Sequence, residues 1–203
     1  SNIKGRHSYF DVSVSPDAVS CHSESPQMLV TFEPESLCRH LDSLAAPGYL
    51  VCSADDRDVE LSSLGYLESR LLQETLGQLA ENGLPSTAGG LMQLAQQRGI
   101  QVLAVPYKAL LSSLADELGL KHQRVAVVIN TIAVAVSAAL LGIPREKLEQ
   151  AVEKSFPGQE AVVALNRRAV AIAWAFTQDE FSPIALQLQQ TSERRGSTLL
   201  LNA

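Results

Sequence analysis

The sequence has little of what usually announces a chemistry. Its three cysteines, Cys21, Cys38 and Cys52, are an odd number at wide spacing. That pattern is neither a disulfide framework nor the paired thiols of a zinc or iron–sulfur site. Reduced thiols in the cytoplasm are the expected state. The four histidines, His7, His22, His40 and His122, lie far apart, and none stands at metal-ligand spacing. No Walker, G-x-S-x-G or complete G-x-G-x-x-G pattern occurs, and the pair Gly89-Gly90 follows no strand. Lysines and arginines form no stripe and the net charge is −6, so a nucleic-acid surface is not expected. Residues 1–7 hold no apolar run of the signal-peptide kind. One long uncharged stretch, residues 125–141, sits at the short edge for a membrane span. It carries Asn130, Thr131 and Ser137 among small alanines, so a buried core helix is expected and a membrane is not.

Against these absences, apolar residues make up 46% of the 203-residue chain, enough for one domain with a real core. Residues 7–14 alternate, with Phe10, Val12 and Val14 on one face, which predicts a half-buried strand. Residues 28–32 (MLVTF) form a short apolar run fit for a buried strand. Glu33-Pro34-Glu35-Ser36 then opens a helix with Leu37, Leu41 and Leu44 on one face, and Pro47-Gly48 ends it. A second strand follows at 49–53, so the three elements predict a βαβ unit with parallel strands. Further along, the pattern predicts helices at 61–82 and 91–98, a strand at 100–105 and a helix at 107–118. The long apolar helix at about 124–141 and two helices at 145–155 and 160–176 complete the reading. The expected fold is α/β: an open, mostly parallel sheet of three or four strands flanked by helices, with a helix-rich second half.

Few residues stand out as candidates for chemistry. Lys4, Gly5, Arg6, His7 and Ser8 precede the first predicted strand, and two cations with a Gly and a His suit an anion such as phosphate. A solvated chain end would account for them equally. Glu33 falls at the C-terminal end of a predicted strand, where ligands of open α/β sheets bind. It also suits the N-terminus of the helix that follows. Asn130 interrupts an apolar helix, and a buried amide there would need a partner. No nucleophile–base pair is evident, and no catalytic or metal-binding residue is assigned.

Several short stretches, taken in order, resemble one family. Residues 1–8 running into Val12-Ser13-Val14-Ser15 resemble the basic, glycine-containing segment and strand of the gamma-type domain in 2-oxoacid:ferredoxin (acceptor) oxidoreductases. Leu29-Val30-Thr31-Phe32-Glu33-Pro34, Pro47-Gly48 and Val102-Leu103-Ala104-Val105-Pro106 resemble that domain's strand ends and turns. Residues 130–143 before Pro144, then Phe156 and Ala164-Leu165-Asn166, resemble three of its helices. Residues 196–202 resemble the junction to a following domain in fused members. The sequence departs from the family in three ways. It begins after the usual glycine-rich strand–loop–helix, Arg6 stands where a glycine is usual, and residues 60–99 read as a helical insertion.

The resemblance implies a gamma-type domain over 1–180 and a linker at 181–203 toward a missing domain, so that the chain is excised from a fused gamma–alpha subunit. The full enzyme, on this resemblance, converts a 2-oxoacid and coenzyme A to acyl-CoA and CO2. It uses thiamine pyrophosphate and iron–sulfur clusters, and passes electrons to ferredoxin or another acceptor. This chain alone is expected to bind none of these cofactors and to be inactive. Its partners would be the alpha- and beta-type domains, and its role to help close the coenzyme A side of the cleft. The alternative is a free-standing nucleotide- or anion-binding, or purely structural, α/β module.

Overall fold

The computed structural model describes residues 9–14, 25–186 and 188. Three strands, β1 (Met28–Val30), β2 (Gly48–Ser53) and β3 (Ile100–Val105), form one parallel sheet in the order β1-β2-β3. The register pairs Leu29 with Leu50 and Leu50 with Val102. Between β1 and β2 runs α1 (Pro34–His40), and between β2 and β3 run α2 (Ser69–Glu81) and α3 (Ala88–Gln97). Then come α4 (Tyr107–Leu118), α5 (His122–Val125), α6 (Ile129–Leu140), α7 (Arg145–Ser155) and α8 (Glu160–Glu180). The predicted α/β architecture holds.

The strand period of two splits the sheet between two cores. Leu50, Cys52 and Ile100 join the leucines of α1, α2 and α3 on one face. Val51, Leu103 and Val105 join α4, α6 and α8 on the other. Gly119 ends α4 in the left-handed region at φ 61°, a conformation that costs a residue with a Cβ but not glycine. Small residues such as Ala133, Ala169 and Ala173 line the buried side where α6 meets α8. Thr131 donates to Asn166 Oδ1 at 2.5 Å there, and the Asn166 amide donates to the Val162 carbonyl at 2.8 Å. Asn166 is thereby satisfied although only 5% exposed.

Four expectations are corrected. In residues 9–14 no strand forms: Phe10, Val12 and Val14 are 93%, 82% and 65% exposed, and no described strand pairs with them. Alternation supplies a face, but a strand also needs an edge to bond. The helix predicted from residue 61 begins only at Ser69, after a short 3-10 turn at Leu61–Ser63. Leu61, Leu64 and Leu67 are buried nonetheless, as loop anchors of the same core. The long apolar helix is not continuous. A 3-10 turn at Ala126–Val128 separates α5 from α6, and the segment is buried on one side only.

Asn130, the fourth, is exposed rather than buried. A helix apolar on every side carries no period to show which face points inward. The polar anchor of this helix is its neighbour, Thr131. The stretch His122–Leu140 is long and apolar enough to cross a membrane, but its inner side lies against α8, α4 and α7, as in a core helix.

Two carboxylates tie elements together across the surface. Burial opposes the charge on Asp42, but hydrogen bonds from Arg98 and Gln78 outweigh it and hold the carboxyl below its ordinary value. Glu149 is treated likewise: burial opposes its charge, and Arg145 and Arg167 outweigh it. A depressed folded pKa stabilises above the unfolded value and is lost as pH falls through the folded one. Thermal stability should therefore hold from neutral pH down to about 5 and fall progressively below about 4, where unfolded carboxylates titrate. A melting-temperature profile checks this, and a profile flat to strong acid would contradict it.

Candidate functional site

In an open parallel sheet the strand C-terminal ends, with the helix N-termini that follow, form the usual ligand crevice. Here that edge is built from residues following β1, β2 and β3. After β1 the chain is pinned by Thr31, which is 3% exposed. Its amide donates to the Val51 carbonyl at 2.8 Å. Its hydroxyl donates to the Glu33 carbonyl at 2.9 Å and accepts from the Glu33 amide at 3.1 Å. Glu33 thus sits at the strand's C-terminal end with extended backbone, its side chain exposed and making no capping bond. Pro34 then starts α1, where a missing N–H costs nothing. Glu35, in the first turn, accepts from Arg39 at 2.7 Å, and Arg39 reaches Glu68 at 2.8 Å, tying α1 to the loop before α2.

After β2, Asp55 reaches over to β3's helix. Its Oδ2 accepts from the Lys108 amide at 2.8 Å, placing a carboxylate at the positive end of α4. After β3, Pro106 turns the chain and Tyr107 enters the core. The Tyr107 ring meets Phe32 edge-on at 6.4 Å and 77°, and its hydroxyl has no hydrogen-bond partner among the described residues. Burial pushes the Tyr107 phenol far above its ordinary value, so it stays neutral. At the same edge, partial burial and the charges of Glu33, Glu35 and Asp56 push the Tyr66 phenol up. The described part of this edge is therefore acidic.

This chemistry decides what the edge can hold. A diphosphate needs cations or free amides, and here carboxylates gather, the α4 N-terminus is capped by Asp55, and Arg57 and Lys108 are the cations that follow β2 and β3. Among the described residues no three His, Cys, Asp or Glu side chains are placed to hold a metal ion. Burial pushes the Cys38 thiol up to about 11 and the Cys52 thiol up to about 12. They lie on different elements, α1 and β2, and do not make a cluster site. Among the described residues no set of thiols is placed to hold an iron–sulfur cluster. Because the thiolate is the reactive form, Cys52 should resist maleimide in the native protein at neutral pH and react only after unfolding. Rapid native labelling of Cys52 would contradict its buried position.

Of the sequence candidates, Lys4, Gly5, Arg6, His7 and Ser8 lie outside the described residues. Glu33 is at the sheet edge as expected, and Asn130 is on the outward side of α6. No hydrogen bond joins these two. Asp55 and Tyr107 were not singled out from sequence. Asp55 finds its partner 53 residues away, beyond any local pattern. Tyr107, an aromatic directly after a strand-ending proline, carried the only signal.

Comparison with known proteins adds the family. The family model described as pyruvate ferredoxin/flavodoxin oxidoreductase matches residues 1–176. The chain is 25% identical over 201 residues, 99% of its length, to 2-oxoacid:ferredoxin oxidoreductase 2, subunit alpha, of Aeropyrum pernix, and covers 31% of that subunit. It is 26% identical over 174 residues to the 2-oxoacid:ferredoxin oxidoreductase subunit alpha of Saccharolobus solfataricus, covering 85% of this chain and 27% of that subunit. A subunit alpha from Sulfurisphaera tokodaii is 24% identical over 182 residues, with 28% of it covered. These relatives are named alpha where the motifs suggested gamma, and the chain spans under a third of their length. The match over residues 1–176 nonetheless covers most of the sequence, and the chain belongs to the pyruvate ferredoxin/flavodoxin oxidoreductase family.

Proposed function

We propose that the chain is an accessory, gamma-type region of a cytoplasmic 2-oxoacid:acceptor oxidoreductase, over residues 1–180, with 181–203 leading toward a further domain. The observation that carries this is one of proportion. The family match covers residues 1–176, yet the chain corresponds to only 31% of a whole alpha subunit. The turnover of a 2-oxoacid and coenzyme A to acyl-CoA and CO2 then belongs to the assembled enzyme. Thiamine pyrophosphate and iron–sulfur clusters are held by its other parts, and ferredoxin or a similar acceptor takes the electrons. The gamma and alpha labels agree if this region is one domain of a fused subunit.

Within that enzyme the region's task is to help form the coenzyme A side of the cleft. The described sheet edge is acidic, so attraction for the phosphates of coenzyme A falls to Lys4 and Arg6. The test is the assembled enzyme with Lys4→Ala and Arg6→Ala together. The expected result is a raised apparent KM for coenzyme A or weaker subunit assembly. Unchanged kinetics with unchanged assembly would remove this role.

A further inference from the structure

The outward side of α5–α6 carries two of the exposed large apolar side chains among the described residues. Val127 is 73% exposed and Val134 53%, and Ala126 and Asn130 are exposed beside them. Asn130 and Val134 stand four apart and share one side of α6, and Val127 is exposed in the 3-10 turn just before them. At its N-terminal end Lys121 and Arg124 are exposed and bridge no carboxylate among the described residues. Arg57, Lys108, Lys147 and Lys154 likewise bridge none there, whereas Arg39, Arg70, Arg98, Arg145, Arg167 and Arg168 do. The patch is therefore apolar at its centre, has one amide, and is cationic at its rim without an internal counter-charge.

We infer that this side of α5–α6 is the surface on which the remainder of the enzyme docks. It would meet a protein surface that is apolar at its centre, offers Asn130 a donor and acceptor, and carries carboxylates at its rim. This rests on the accessory-region reading above. Three observations choose the occupant. The relatives carry more than twice as much chain again as this region covers, so a partner protein is at hand. Two valines and an alanine make a small contact, sufficient only for a partner kept at high effective concentration by the same polypeptide or complex. The central amide, with no Trp, Phe or Leu beside it, is unlike a membrane-inserting face.

The experiment uses Val134→Cys in the intact assembled enzyme and in this chain alone, with Lys154→Cys as an exposed control, and measures fluorescein-maleimide labelling rates. Val134→Cys should label rapidly in the chain alone and at least an order of magnitude more slowly in the assembly, while the control is unchanged. Val134→Asp should melt like the parent chain yet fail to assemble. Equal labelling in both states, or normal assembly of Val134→Asp, overturns the assignment while leaving the accessory reading intact. Concentration-dependent dimers of the isolated chain that protect Val134→Cys would assign the surface to a second copy instead. Co-sedimentation with phosphatidylserine vesicles that protects it would assign it to a membrane. A parent chain that never assembles with an oxidoreductase takes the accessory reading down as well.

Discussion

Val128→Asp should abolish folding. Val128 is 2% exposed and belongs to the core shared by β2, β3, α4, α6 and α8. It also closes the 3-10 turn that joins α5 to α6. An aspartate here would put a charge among the apolar side chains of that core. Leaving a buried charge unpaired costs about 3–5 kcal/mol, and lost packing adds to that, against a total stability of roughly 5–15 kcal/mol. Circular dichroism should show no cooperative melt, or one far below the parent's. Val134→Asp, on the outward side of α6, should melt with the parent because its carboxylate stays in water. A Val128→Asp protein that melts like the parent would mean the inward side of this helix has been misplaced.

The second large effect is expected at Gly90. A Cβ there would lie 1.9 Å from the Pro85 carbonyl oxygen, a backbone atom that cannot swing aside. Relief requires moving residues 85–88. That movement strains the bonds from the Ala88 amide to the Val59 carbonyl and from the Leu61 amide to the Ser86 carbonyl, both 3.0 Å. It also disturbs the Thr87 cap, whose hydroxyl accepts from the Gly90 amide at 3.3 Å. Overpacking plus partial loss of a cap gives about 2–4 kcal/mol for Gly90→Ala. In a domain of this size that is a melting-temperature drop of roughly 5–15 °C. Gly77→Ala is the matched control: it lies inside α2 with nothing within 4 Å of a new Cβ. It should stabilise by about 0.5–1 kcal/mol, the helix propensity gained. If both substitutions moved stability the same way, the close approach at Pro85 would not be real.

Sequence reading succeeded where a local pattern and its punctuation agree. The strand at 100–105 and the helices at 107–118 and 145–155 appear with the predicted bounds. In each case Pro or Gly marks an end beside a clear period. A pattern that depends on a distant partner is not legible in this way. Residues 9–14 alternate well but form no strand. The helix carrying Asn130 was too uniformly apolar to reveal its inner side, so Asn130 was expected inside and Thr131, one residue on, is the residue that bonds Asn166. Gly89-Gly90 carried no weight as a phosphate motif, and its meaning is steric: both glycines let α3 start against backbone that a Cβ would strike. Of the candidate site, Glu33 was legible because a strand end followed by Pro is local. The clasp from Asp55 to the Lys108 amide was not, because it spans two strands.

On the proposed function, this region supports the oxidoreductase without performing its chemistry. The direct measurement is 2-oxoacid-dependent reduction of an electron acceptor, with coenzyme A and thiamine pyrophosphate supplied, by the pure chain and by the assembled enzyme that contains it. Turnover is expected in the assembly and none above background from the chain alone. Turnover by the pure chain would contradict it.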